Sequence, residues 1–168
     1  VTPVQTLDPA GLLWINPAIV NTSVGQTFVV SFNITTGAQP VDSAEFHLNF
    51  NPSALEVVTL DVITTHFPVT LPGTTFDNNA GTVDVISGAL NNLPTGTFST
   101  ANITFRAKTQ ANALPLTLTN TDNRQTRALI SGGIAFEALA HSLVNIIAAS
   151  PTATLTATPS QTSTSTQT

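Results

Sequence analysis

The sequence predicts an all-β fold, a sandwich or barrel of short antiparallel strands. Two observations carry that expectation. Apolar and polar residues alternate with period two along much of the chain. Clusters rich in Gly, Pro, Asn and Asp interrupt the alternation at short spacing. Residues 12–15 are the first strand candidate. In "TFVVSFNIT", Phe28, Val30, Phe32 and Ile34 share one face, and Thr27, Val29, Ser31, Asn33 and Thr35 share the other. In "AEFHLNF", Phe46, Leu48 and Phe50 oppose Glu45, His47 and Asn49. In "STANITFRA", Ala101, Ile103 and Phe105 oppose Asn102, Thr104 and Arg106. Each stretch buries one face and wets the other, as antiparallel sheets do. Further candidates are residues 55–60, 82–87, 114–119 and 143–147.

The turns have local causes. In "NPSA", Asn51 can bond its own backbone and Pro52 presets the following φ. Strand, turn and strand are therefore expected across "FHLNFNPSALEVVTL". "DNNAG" (residues 77–81) reads as a hairpin turn, since the later spacing and Glu of a calcium loop are missing. "SGGIAFEALAHSLV" admits a helical turn or strands after Gly132-Gly133, and strands are the expectation.

Composition narrows the function. The 168 residues fit one domain with extensions. A core of ~130–150 residues buries roughly two-thirds of its unfolded surface, so no staple is required. Residues 1–11 read as an arm or linker, 12–149 as the sandwich and 150–168 as a Ser/Thr/Pro-rich tail. Cysteine is absent, which excludes disulfides, thiolate catalysis and Cys-ligated metals. Methionine is absent too, so Val1 is expected to begin a processed or trimmed chain. Four basic residues against nine acidic ones argue against nucleic acid. No apolar run approaches the ~18 residues of a membrane helix.

The order of five blocks resembles the cohesin domain family. They are "VGQTFVVSFNI", "AEFHLNFNPSALEVVTL", "FDNNAGTVDVISGAL", "GTFSTANITFRA" and "LPLTLTN". "FNPSALEVV" stands where the family often has Tyr-Asp-Pro. The resemblance spans about residues 12–147. It implies a jelly-roll β-sandwich of about nine strands, exported by a bacterium or archaeon. It also implies a non-catalytic role, binding dockerin modules and assembling surface complexes. The expected location is extracellular or at the cell surface.

Catalysis is not expected. His47, His66 and His141 lie far apart in sequence, and His47 is expected as a surface histidine. Asp42, Glu45, Glu56, Asp61, Asp84 and Glu137 could supply a carboxylate pair for glycoside hydrolysis, but solvated strand-edge charges explain them better. Lys108, the single lysine, follows a strand end and is a poor isopeptide candidate. No cofactor and no metal are expected.

Three readings of the function follow. In the first, chains polymerise by lending a terminal strand to a neighbour's open sheet edge. The candidate donors are Thr152, Ala153, Thr154, Leu155, Thr156, Ala157 and Thr158 in the tail, and Val1, Val4 and Leu7 in the arm. The tail has 12 Ser or Thr in 19 residues and no charge, so an O-glycosylated stalk is the competing reading. In the second, the domain receives a dockerin on another protein. In the third it is a carbohydrate-binding module, with Trp14 as the sugar platform or an interface aromatic. The expected partners are proteins, either further copies or a dockerin bearer, with covalent glycans besides. Asn21, Asn33 and Asn102 each open an Asn-x-Ser/Thr triplet. Asn33 and Asn102 are expected on wet strand faces and Asn21 in a turn.

Overall fold

The computed structural model describes residues 11–121 and 123–149. The candidate donors in residues 1–7 and 152–158 lie outside them. Among the described residues there is no helix. In chain order the strands are β1 (Leu12–Asn16), β2 (Ile19–Ser23), β3 (Thr27–Thr35), β4 (Ser43–Asn49), β5 (Leu55–Val62), β6 (Val69–Thr70), β7 (Thr75–Asp77) and β8 (Thr82–Gly88). Then come β9 (Thr97–Ala107), β10 (Ala111–Leu118), β11 (Asn120–Thr121), β12 (Arg124–Gln125), β13 (Arg127–Ile130), β14 (Gly133–Phe136), β15 (Leu139–Ala140) and β16 (Ser142–Ile147). Nine of them, β1 to β5, β8 to β10 and β16, run five residues or more. Those nine are the frame of an all-β jelly-roll sandwich.

One sheet has the order β15-β1-β3-β9-β5. The other follows β14-β13-β4-β10-β16-β2, with β8 on the other flank of β4 and β6 and β7 on β8. The first two strands lie in opposite layers. β1 pairs with β3 in one sheet, the chain passes a cis Asn16–Pro17 bond, and β2 pairs parallel with β16 in the other.

Alternation sets the layers. The even positions of β3 point inward, and Val30, Phe32 and Ile34 are fully buried. Ala44, Phe46 and Leu48 of β4 face them from the other sheet, also fully buried. The layers meet at Phe32 and Phe46, whose rings stack with centroids 4.8 Å apart. Phe105 anchors a second cluster, edge-on to Phe50 at 5.2 Å and stacked on Phe28 at 5.7 Å. Each buried Phe contributes roughly 1.5–3 kcal/mol of transfer free energy. That supply of apolar area explains how the domain holds together without disulfides.

The turns form as their residues require. The Asn51 side chain accepts the Ser53 N–H at 2.9 Å, and its carbonyl accepts Ala54 and Leu55. This turn carries the chain from one sheet to the other, since β4 and β5 lie in different layers. Asp77 Oδ1 accepts the N–H groups of Asn79 at 2.7 Å and Ala80 at 3.0 Å. Gly81 then adopts φ 71° to close the β7–β8 hairpin, a conformation most natural to glycine. "SGGIAFEALAHSLV" forms strands β14, β15 and the start of β16.

Candidate functional site

The outward face of β4 carries Ser43, Glu45, His47 and Asn49, the complement of its buried set. β8 runs antiparallel beside it and places Asp84 opposite His47, and Ile86 opposite Glu45. On the other flank, β13 places Arg127 opposite Glu45 and Leu129 opposite Ser43. Register therefore gathers charges from separate parts of a chain that has few.

The contacts form one continuous network. His47 Nδ1 lies 2.7 Å from Asp84 Oδ1. Arg124 donates to the same oxygen through Nε at 3.0 Å and Nη2 at 2.7 Å. Its guanidinium also donates to the Leu48 carbonyl at 3.0 Å and to Asn49 Oδ1. Arg127 spans Glu45 through Nε at 3.2 Å and Nη2 at 3.4 Å, and reaches Gln125 at 2.8 Å. Glu45 Oε2 is 4.0 Å from His47 Nε2, which joins the two halves. Two carboxylates thus meet two guanidiniums around one imidazole. The bidentate, multiply bonded geometry makes the face rigid and charge-balanced.

A gap in the β4 ladder positions Arg124. β13 pairs with Ser43–Glu45 and β10 with Leu48–Asn49, so neither covers His47. Thr126 Oγ1 accepts the His47 N–H at 3.0 Å, and the Thr119 N–H donates to the His47 carbonyl at 2.8 Å. Thr126 N–H in turn donates to the Thr119 carbonyl at 2.9 Å. These bonds pin the base of the β11–β12 hairpin against β4. Arg124, on that hairpin, then falls over Asp84.

Apolar residues surround the network. Ile86 and Leu129 are half-buried, and Ile134, paired with Leu129 across β13–β14, is 52% exposed. Beyond them a groove of about 440 Å³ opens at the Ser43 end of the sheet, lined by Val69, Leu71, Leu90 and Leu93 with Asp42 at its rim. Gly88 lets the chain approach there, since a Cβ would sit 2.7 Å from the Asp42 carbonyl oxygen.

Several sequence expectations need correction. His47 is not a surface histidine; it is 7% exposed and hydrogen-bonded within the network. It faces outward, as alternation predicts, but Asp84, Arg124 and the β11–β12 hairpin cover it. Glu45 and Asp84 are partnered charges inside a sheet face rather than solvated edge charges. Asn33 is 6% exposed, because it lies opposite Trp14 on β1 and bonds Ser31 O and Ser99 Oγ. Asn21 stands in strand β2, not in a turn.

The remaining candidates are dispersed. Glu56 pairs with Arg106 at 2.8 Å, Asp61 accepts Thr59 Oγ1, Asp42 accepts Ser43 Oγ, and Glu137 is exposed. His66 stacks on Phe98, and His141 Nδ1 accepts the Leu118 N–H at 3.0 Å. Lys108 Nζ donates to the Pro52 carbonyl at 2.8 Å. Trp14 is half-buried on the outer face of the other sheet, its Nε1 donating to Thr35 Oγ1 at 3.2 Å. Around it the hydroxyls and amides pair with one another, as in Thr35–Thr97 and Ser31–Asn102. Among the described residues no group of three or more His, Asp or Glu could hold a metal. No helix among them is long and apolar enough to cross a membrane.

Asp77, at the end of β7, has a displaced titration. The Ala80 and Asn79 N–H groups bonded to its carboxylate hold it below its ordinary range.

Solved structures share this architecture. A non-cellulosomal cohesin from the hyperthermophilic archaeon Archaeoglobus fulgidus matches with a TM-score of 0.64 and 19% identity, over 82% of this chain and 91% of that one. The third ScaC cohesin of Acetivibrio cellulolyticus, solved in complex with the ScaB dockerin, matches at 0.62 and 13%, over 82% and 99%. A cohesin from Clostridium acetobutylicum matches at 0.60 and 15%, over 82% and 91%. No curated protein sequence matches the chain. The cohesin domain family model matches residues 16–134. The chain therefore belongs to the cohesin domain family.

Proposed function

We propose that the domain is a non-catalytic protein-binding module of an extracellular assembly, and that it receives a dockerin-type partner on the outer face of β13, β4 and β8. The observation that carries this reading is the face itself. A prearranged, charge-balanced network centred on His47 and Asp84 is bordered by Ile86, Leu129 and the exposed Ile134. Rigid polar groups beside accessible apolar side chains are what a specific interface needs, because little conformational entropy is lost on docking. Family membership supports the same reading.

The test is capture of the purified domain by a panel of immobilised dockerins, with calcium and with chelator. Calcium-dependent, saturable binding to at least one is expected. Ile134→Asp and Arg127→Glu should each weaken it at least tenfold, about 1.4 kcal/mol, as a central contact does. Binding unchanged in both variants would move the interface elsewhere.

A second reading, polymerisation by donation of a terminal strand, is favoured by one observation. Among the described residues β5 pairs with β9 alone; the Asn78 side chain bonds the Val57 N–H and carbonyl, and the edge beyond it, residues 58–62, is able to accept a further strand. Deleting residues 150–168 and imaging the native material by electron microscopy tests the tail as donor. Polymers that persist unchanged refute it.

A further inference from the structure

We propose that Asn21 accepts an N-linked glycan and that Asn33 and Asn102 do not. All three satisfy the Asn-x-Ser/Thr pattern, so the distinction comes from where the fold puts each amide.

Asn21 is exposed on β2, the last strand in its sheet order. Its neighbour across the ladder is Asn145, whose Nδ2 donates to Asn21 Oδ1 at 2.9 Å. That bond turns the Asn21 oxygen toward β16 and its nitrogen toward the open side. The nitrogen is the atom that would carry the sugar. Asn33 offers no such atom, because its Nδ2 donates to the Ser31 carbonyl at 3.1 Å and the residue is 6% exposed. Asn102 is half-buried in β9, between β3 and β5, with Asp61 opposite and its Oδ1 holding Ser31 Oγ at 2.8 Å. A sugar there would have to stand between two occupied strands.

Folding order points the same way. Asn145, the ladder partner of Asn21, follows it by 124 residues. The sequon therefore stays unpaired until β16 is made. Asn33 has Trp14 opposite it, a residue made earlier, so its pairing can form while the chain is still growing.

The surroundings explain what the modification would do. Asn21 is flanked by Ile19, 58% exposed, and across the ladder by Leu143 and Ile147, 41% and 64% exposed. An apolar strip on a free edge strand invites association. A glycan at the centre of that strip would cover it, on a chain with 8% charged residues. The transfer requires a polyprenyl-pyrophosphate-linked oligosaccharide and a host transferase. The amide nitrogen attacks the anomeric carbon, the bond from that carbon to the pyrophosphate oxygen breaks, the lipid pyrophosphate leaves, and the amide loses one proton. No redox step occurs.

Chymotryptic cleavage after Trp14, Phe28, Phe32 and Phe98 separates the three sequons into different peptides. Mass spectrometry of protein purified from its native source should find a hexose-containing adduct on the peptide from Ile15 to Phe28. The peptides holding Asn33 and Asn102 should be bare. An unmodified Asn21, or sugar on either of the other two, overturns the proposal. Asn21→Gln expressed in the native host provides a second measurement. It should migrate faster on denaturing gels by one glycan and self-associate more by light scattering, whereas unchanged mobility refutes the assignment.

Discussion

Replacing Asp84 by Ala removes the acceptor on which the charged face converges. One oxygen, Asp84 Oδ1, receives His47 Nδ1 at 2.7 Å and both Nε and Nη2 of Arg124. The two losses are unequal. Arg124 keeps the Leu48 carbonyl and Asn49 Oδ1, and its side chain is 24% exposed, so water replaces part of what it gives up. His47 is 7% exposed, and among the described residues its Nδ1 bonds Asp84 alone. Leaving a buried polar group unsatisfied costs about 1–3 kcal/mol, and a weakened Arg124 adds a fraction of that. The expected destabilisation is therefore about 2–3 kcal/mol. For a domain of this size each kcal/mol lowers the melting temperature by roughly 2–4 °C, so a fall of about 4–12 °C is expected. Trp14, the single tryptophan, reports urea or thermal unfolding by fluorescence. Asp84→Asn keeps one acceptor oxygen and should lose less, about 1 kcal/mol. If Asp84→Ala costs under about 0.5 kcal/mol, the value of an ordinary exposed pair, the network is solvent-screened and the reasoning fails.

Other outcomes follow from the same geometry. Glu56→Ala should change stability by no more than about 0.5 kcal/mol, because its partner Arg106 is 49% exposed; chemical denaturation beside Asp84→Ala gives the contrast. Phe46→Ala removes the ring that stacks on Phe32 between the layers and should cost about 3–5 kcal/mol by the same assay. Asp77→Asn should matter in one pH range only. Its folded titration is depressed, so the carboxylate's contribution is fully present above its ordinary value of 3.8 and is lost as pH falls through the depressed one. Melting curves of the two proteins should differ above that value and converge in stronger acid.

Alternation in the sequence made the faces of β3, β4 and β9 legible, and with them most of the core. Period two says which side a residue takes, but not which strand lies beside it. Glu45, His47 and Asn49 could be placed together on a wet face, while the partnership of His47 with Asp84, 37 residues away, depends on the β4–β8 register. Arg124 was harder still, since β11 and β12 have two residues each and show no period. The 114–119 candidate omits residues 111–113 of β10, where the register with β16 shifts between Ala111 and Leu114 and Ala113 has φ 50°, so the alternation breaks there. Asn33 misled for a different reason: alternation put it on the outer face correctly, but an outer face can be roofed by its own neighbours, here Trp14.

The parallel pairing of β2 with β16 has a mechanical consequence. Both run the same way, so a pull on Gly11 against a pull on Ala149 drags them past each other lengthwise. Five register positions, from Ile19–Leu143 to Ser23–Ile147, then carry tension together and must give way together. β1 and β15, also parallel, repeat the arrangement in the opposite layer. A module closed in this way resists stretching along its own chain far better than a hairpin that unzips one rung at a time.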